Sequence, residues 1–426
     1  MLSEFQNKIR AFAESFFETV RRDSADRAGV SRMGYGPHEQ FVHDLASSIA
    51  RELGMQREVD AAGNLWLTLP GTDRSLAAVV SGSHGDSVPE GGNYDGLAGV
   101  CAALAVAKTL HDEGIRLKRD YRVLIFRMEE SSWFGRAYVG SLALAGALKP
   151  GETALRHRQE NITLAEVIRE AGFDPEVMTS GRALADLSRI AAFIELHIEQ
   201  GPRLDASSSE RVGIVTGIRG NLRHQSCRVL GKTAHSGAVD REFRHDAVMV
   251  LGELLARMDR HWESWLAAGE DLVFTCGVVN TAPTAAIAII PGEVSFGLDM
   301  RSLSMQTIER FHALMLREAQ DIARKRRVRF AFDDVLVCEA ASVDAGVRAK
   351  LEAAARRCGI PFQAMPSGAG HDAAVLANAG VPMGMIFVAN QNGSHNAREA
   401  MRIEDFLAGC EVLLRTVCDF DKKENQ

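Results

Sequence analysis

Four short apolar runs constrain this chain more than any other feature. Residues 76–80, 121–128, 190–196 and 383–388 show no helical period, and the first ends in β-branched valines. Such runs are read as strands buried on both faces, the texture of a parallel sheet covered by helices. Each is soon followed by groups able to bind a metal. These are His84 and Asp86 after the first run, Glu129 and Glu130 after the second, His197 after the third and His395 after the fourth. In open α/β sheets chemistry collects at the carboxyl ends of strands, where loops can be re-aimed without disturbing the sheet. One such strand would mean little; four make a pattern.

The stretch 77–100, AAVVSGSHGDSVPEGGNYDGLAGV, carries most of it. Asp95 stands at the mouth of an Ala/Leu/Val-rich helical segment, residues 96–110. Alone it would be read as a helix N-cap. With His84 and Asp86 around a glycine-rich turn, it reads as part of a metal cradle. Asp86 lies two residues beyond His84, the spacing that points side chains one way, so it can hold the imidazole by its second nitrogen. Consecutive side chains diverge on an extended backbone. Glu130 is therefore read as a ligand and Glu129 as a general base on a metal-held water. An isolated Glu-Glu pair would be a solvated strand end; its place behind a buried strand distinguishes this one. His84, Asp95, Glu130, His197 and His395 supply enough donors for two divalent ions with one carboxylate bridging, and zinc, manganese, cobalt and nickel all accept such ligands. The sequence contains no H-E-x-x-H, G-x-G-x-x-G or G-x-S-x-G signature.

A chain of 426 residues suits two domains, one inserted in the other. Between 213 and 333 the texture changes to strands with alternating apolar positions (Val294, Phe296, Leu298) and two long amphipathic helices, as in an antiparallel sheet with one wet face. The expected architecture is α/β. A mixed sheet flanked by helices forms the catalytic domain (1–212 and 334–426), and an α+β domain is inserted at 213–333. The formal net charge of -7 and the lack of a basic stripe, apart from residues 324–327 at a helix end, argue against a nucleic-acid partner. Seven scattered cysteines without a C-x-x-C pair suit reduced thiols in the cytoplasm. The N-terminal residues show no signal-peptide pattern and no run is long enough to span a bilayer, so no membrane partner is expected.

The motifs SGSHGDSVPEGGNYDG, RMEESSWFG, ELHIEQGP, GKTAHSG, SGAGHDA and GSHN, in that order, resemble the dinuclear metal amidohydrolases of the N-carbamoyl-L-amino-acid hydrolase and allantoate amidohydrolase group. That group lies within the aminoacylase and carboxypeptidase-like peptidase superfamily, and the similarity runs over residues 37–415. The resemblance implies two divalent ions held by His84, Asp95 (bridging), Glu130, His197 and His395, with Asp86 behind them and Glu129 as base to a bridging hydroxide. It also implies an inserted lid that makes a homodimer. His235 would reach the partner's site to stabilise an oxyanion, Arg301 would bind a substrate carboxylate, and Gln200 and His371 would line the substrate pocket. Two departures stand out. Residues 237–241 read GAVDR where the family has G-T-T-P-M, and Ala288 occupies the place of a substrate-binding asparagine. The implied activity is hydrolysis of a linear amide or ureido bond of an N-carbamoyl or N-acyl amino acid. An aminoacylase or dipeptidase on the same scaffold is the alternative, and a catalytically silent binding protein a more distant one.

Overall fold

A computed structural model describes residues 4–421. The chain forms two compact units, Met1–Thr216 with Ser342–Gln426, and Gly217–Ala341. In the larger unit the four apolar runs become adjacent parallel strands, in the order Tyr121–Phe126, Ala78–His84, Ile190–Ile198 and Met383–Val388. Parallel neighbours present their carboxyl ends along one edge, so the four candidate ligand segments emerge together. Antiparallel strands flank them: Leu65–Leu69 and Gln56–Val59 on one side, Val212–Ile218 on the other. All of Ala78–His84 and Met383–Val388 is buried, which is why neither alternates in polarity.

The strand ends differ from the sequence-based expectation in an instructive way. The first strand does not stop at Val80 but continues through Ser81, Gly82 and Ser83 to His84. Its hydroxyls are accommodated inside, Ser83 Oγ donating to Glu195 Oε1 at 2.6 Å. The third likewise takes in His197. The second stops early, at Phe126, because Met128 adopts φ 47° and turns the chain. Glu129 and Glu130 therefore sit on a turn beyond the strand.

Helix Leu97–Asp112 is buried along almost its whole length. Its alanines (102, 103, 105 and 107) let it lie close beneath the sheet and against helices Glu4–Asp23 and Ile403–Asp419. The first of those helices turns Phe5, Ile9, Ala13, Phe16 and Val20 inward at three- and four-residue spacing. No described helix is long and apolar enough to cross a membrane.

The smaller unit is an antiparallel sheet in the order Arg329–Ala331, Gly220–Leu230, Glu293–Ser302, Val273–Thr281. Val294, Phe296, Leu298 and Met300 pack with helices Ala247–Ala267 and Met305–Arg326 in one core. The basic run 324–327 lies at the end of the second helix. Residues 213–216, expected to open the insertion, instead belong to a strand that pairs with Met383–Val388. Residues 334–341 stay with the smaller unit, where Leu336–Cys338 pairs with Gly220–Leu230.

The turn carrying Glu129 and Glu130 is tied down by a buried ion pair. Arg127 Nη1 lies 2.8 Å from Glu39 Oε2, with both side chains almost fully buried. Glu39 also accepts the backbone N–H of Met128 and of Tyr35, each at 2.7 Å. Glu39→Ala takes the carboxylate away from a buried guanidinium, which keeps the Gly63 carbonyl and Gln40 Oε1, and leaves two amides without their acceptor. Denaturant unfolding is expected to show a loss of about 3–5 kcal/mol; a loss below about 1 kcal/mol, the range of exposed pairs, would show that this pair does not hold the turn.

Candidate metal centre

Helix Leu97–Asp112 is capped by Gly96, not by Asp95. Gly96 has φ 65°, and a Cβ there would strike the His84 ring, so the position requires glycine. Relieved of capping, the Asp95 carboxylate stands between two sets of side chains. Its Oδ1 lies 3.5 Å from His84 Nε2 and 3.1 Å from His197 Nε2. Its Oδ2 lies 3.2 Å from His395 Nε2, which is also 3.2 Å from Glu130 Oε1. One carboxylate oxygen thus belongs to each of two three-residue ligand groups.

The rings are oriented from behind. His84 Nδ1 is 3.1 Å from Asp86 Oδ1, and His197 Nδ1 is 2.9 Å from the carbonyl of Ile198. Both partners only accept, so Nδ1 carries the proton and Nε2 is the atom offered to a ligand. Asp86 does more than orient a ring: Oδ1 and Oδ2 accept the successive N–H groups of Glu129 and Glu130, each at 3.0 Å. This grip on two adjacent amides fixes the turn from which the two glutamates diverge. Among the described residues the Glu129 carboxylate makes no hydrogen bond of its own.

Electrostatics shows that these donors suit a divalent cation. Burial alone disfavours a charged His84, yet its hydrogen bonds to Asp86 and Asp95 outweigh it and push the ring well above its ordinary value. His395, hydrogen-bonded by Asp95 and Glu130, is pushed up to about 11. Burial pushes Glu129 well above the usual carboxylate range, with the charges of Glu130, Asp372 and Asp86 adding to it. A buried excess of carboxylate that draws protons onto its imidazoles draws a metal ion by the same field, and the nitrogen and oxygen donors match zinc, manganese, cobalt or nickel.

Of the other residues singled out in the sequence, Gln200 is at this centre, its Nε2 donating to Asp95 Oδ2 at 2.7 Å. His371 is fully buried, edge-on to His197 with ring centroids 4.6 Å apart, and among the described residues its Nδ1 has no hydrogen-bond partner. His235, Ala288 and Arg301 lie in the smaller unit. His235 is exposed and pairs with Ile289, beside Ala288. Arg301 is partly buried, with Nε and Nη2 on Asp299 at 2.7 and 3.2 Å.

Sequence reasoning missed Glu195, Asp372 and Glu399, all buried close to the centre. Glu195 was legible, since it stands two residues before His197 on one strand and so shares its face; Glu399 had no comparable signal.

Residues 80–419 match the model of peptidase family M20/M25/M40. The chain is 35% identical to an N-carbamoyl-L-amino acid amidohydrolase of Geobacillus stearothermophilus, over 91% of this chain and 93% of that one. It is 31% identical to an allantoate amidohydrolase of Bacillus subtilis (strain 168), over 92% of each. Among solved structures it resembles an amidase of the hydantoinase/carbamoylase family from Burkholderia multivorans, with a TM-score of 0.88 and 29% identity, covering 97% of this chain and 98% of the other.

Proposed function

The chain belongs to peptidase family M20/M25/M40 and is a hydrolase of carbon–nitrogen bonds other than peptide bonds; from that premise we propose that it opens the linear ureido bond of an N-carbamoyl amino acid or related ureido acid. The observation that carries the reading is Asp95, shared between two ligand groups, with the uncommitted Glu129 beside them. His84, His197 and Asp95 Oδ1 would hold one divalent ion, and Glu130, His395 and Asp95 Oδ2 the other. Bound there, such ions would polarise the substrate carbonyl and acidify the attacking water.

The chain's own groups do the rest. Glu129, its proton affinity raised by burial, takes a proton from the attacking water and returns it to the leaving nitrogen. Asp86 keeps Glu129 and Glu130 apart by holding both amides. Gln200 and His371 border the reacting centre. His235 is assigned to the developing oxyanion. Its Nδ1 accepts the N–H of Gly237 at 3.1 Å, which puts the ring proton on Nε2 for donation outward. Arg301, pre-oriented by Asp299, is assigned to a substrate carboxylate. Ala288, next to the His235 pair, removes an amide from that grip and leaves room for a bulkier group.

We further propose a homodimer through the smaller unit. Strand Val273–Thr281 is an outer strand of its sheet and exposes Val278 and Val279, while helix Ala247–Ala267 exposes Met249 and Leu266. An unprotected apolar edge is a template for pairing with a second copy. Seven cysteines scattered through the sequence without a C-x-x-C pair support residence in the cytoplasm.

With metal-loaded protein, the N-carbamoyl derivative of one amino acid is expected to turn over faster than its N-acetyl and dipeptide counterparts. Faster dipeptide cleavage would favour the aminoacylase or dipeptidase reading instead. Glu129→Gln is expected to lower kcat by at least about 10²–10⁴-fold at unchanged metal content, and an unaffected kcat would remove Glu129 from the chemistry. Sedimentation is expected to show a dimer that Val279→Lys dissociates with loss of activity. A fully active monomer would exclude His235 from action across an interface.

A further inference from the structure

Glu399 is buried four residues past His395, and no role above includes it. Its Oε1 accepts the backbone N–H groups of Tyr94 and Asp95, at 2.8 and 3.2 Å. Its Oε2 lies 2.6 Å from Ser394 Oγ, and the same hydroxyl lies 2.6 Å from Asp95 Oδ2. Glu399 therefore holds Asp95 at the backbone, and its Oε2 and the Asp95 oxygen that faces Glu130 and His395 flank the Ser394 hydroxyl, whose single proton serves one of them at a time. The approach is close, because a Cβ on Gly92 would fall on the Glu399 carboxylate.

His395 needs such a support. His84 and His197 lie within strands and are fixed through Nδ1. His395 lies on a loop with its side chain 50% exposed, and among the described residues its Nδ1 makes no hydrogen bond. Its backbone has φ 58°, a left-handed conformation that a non-glycine residue keeps only where its surroundings impose it. The loop is closed on itself by the Gln391–Ala400 backbone pair and by Glu399 N–H on Asn396 O at 3.1 Å. Glu399 links that closed loop to the Asp95 backbone, and Ser394 reaches the Asp95 side chain.

We propose that Glu399 is a positioning residue for one half of the centre, the Asp95 Oδ2–Glu130–His395 group, setting the loop of His395 against Asp95. The proposal rests on the two-ion reading. In the other half, His84 and His197 stand on strands and do not depend on the loop, and Asp95 is the member the two halves share. Partners behind a metal ligand typically change affinity by about 10–100-fold when removed, and here the loss falls on one ion only.

The test is titration of the metal-free full chain with Co2+ against a competing chelator, which reads stoichiometry and affinity without turnover. Glu399→Ala is expected to bind one ion within about 3-fold of the parent affinity and the other about 10–100-fold more weakly. Glu399→Gln is expected to retain both, because its amide oxygen can take the two N–H groups and its NH2 can donate to Ser394 Oγ. Ser394→Ala leaves the buried carboxylate in place and is expected to weaken the same ion by several-fold, which keeps the test available if Glu399→Ala does not fold. Parent-like binding of both ions by Glu399→Ala or, failing that variant, by Ser394→Ala would overturn the proposal. So would equal weakening of both ions, or a Gln variant that behaves as Ala. A parent chain that binds fewer than two ions would instead overturn the two-ion reading itself, a result distinct from the others.

Discussion

The structure turns on one buried carboxylate. Asp95 is almost inaccessible, yet its two oxygens face three imidazoles and a second carboxylate. Burial by itself opposes ionisation of Asp95, but His197, His395 and His84 hold it well below the usual carboxylate range. A charge in that position is tolerable only if cationic partners are brought to it accurately. The parallel sheet does this. Four strands lead to the candidate ligands at residues 84, 130, 197 and 395, and their common direction brings all of them to one edge. The resulting field would be costly in a protein that did not use it, which is the physical ground for assigning cations to it.

Precision comes from a layer behind the donors. Asp86 orients His84 and clamps the amides of Glu129 and Glu130. Glu39 and Arg127 secure the same turn from the other side through the Met128 amide. Glu399 ties the His395 loop to Asp95. Each link is a carboxylate accepting backbone N–H groups, a bond stronger than a neutral pair and well suited to holding a loop that has no strand neighbour. The left-handed backbones of Met128 and His395 fall where these clamps act, as expected if packing and hydrogen bonds impose the local strain.

Much of this architecture is legible in the order of the amino acids, because it rests on short-range patterns. Unalternating apolar runs mark the buried strands, and donors just beyond them mark the ligands. The six ordered motifs point to the family that the comparisons bear out. What escapes such a reading does so for physical reasons. Asp95 reads as part of the cradle from its neighbours, but that Gly96 caps the helix in its place shows only in the backbone. The strands run on to His84 and His197, although small polar residues usually end a strand, because Glu195 accepts the Ser83 hydroxyl inside the sheet. The edge of the inserted unit is displaced because Val212–Ile218 pairs with a strand far along the chain. Glu399 is a long-range partner, and nothing in GSHNARE announces it.

The proposed chemistry depends on a pair of cations sharing Asp95, and anomalous X-ray scattering from crystals of the manganese-loaded protein tests it most directly. The expected result is two peaks about 3.5–4 Å apart, one beside His84 and His197 and the other beside Glu130 and His395. A single peak, or metal bound away from Asp95, would contradict it.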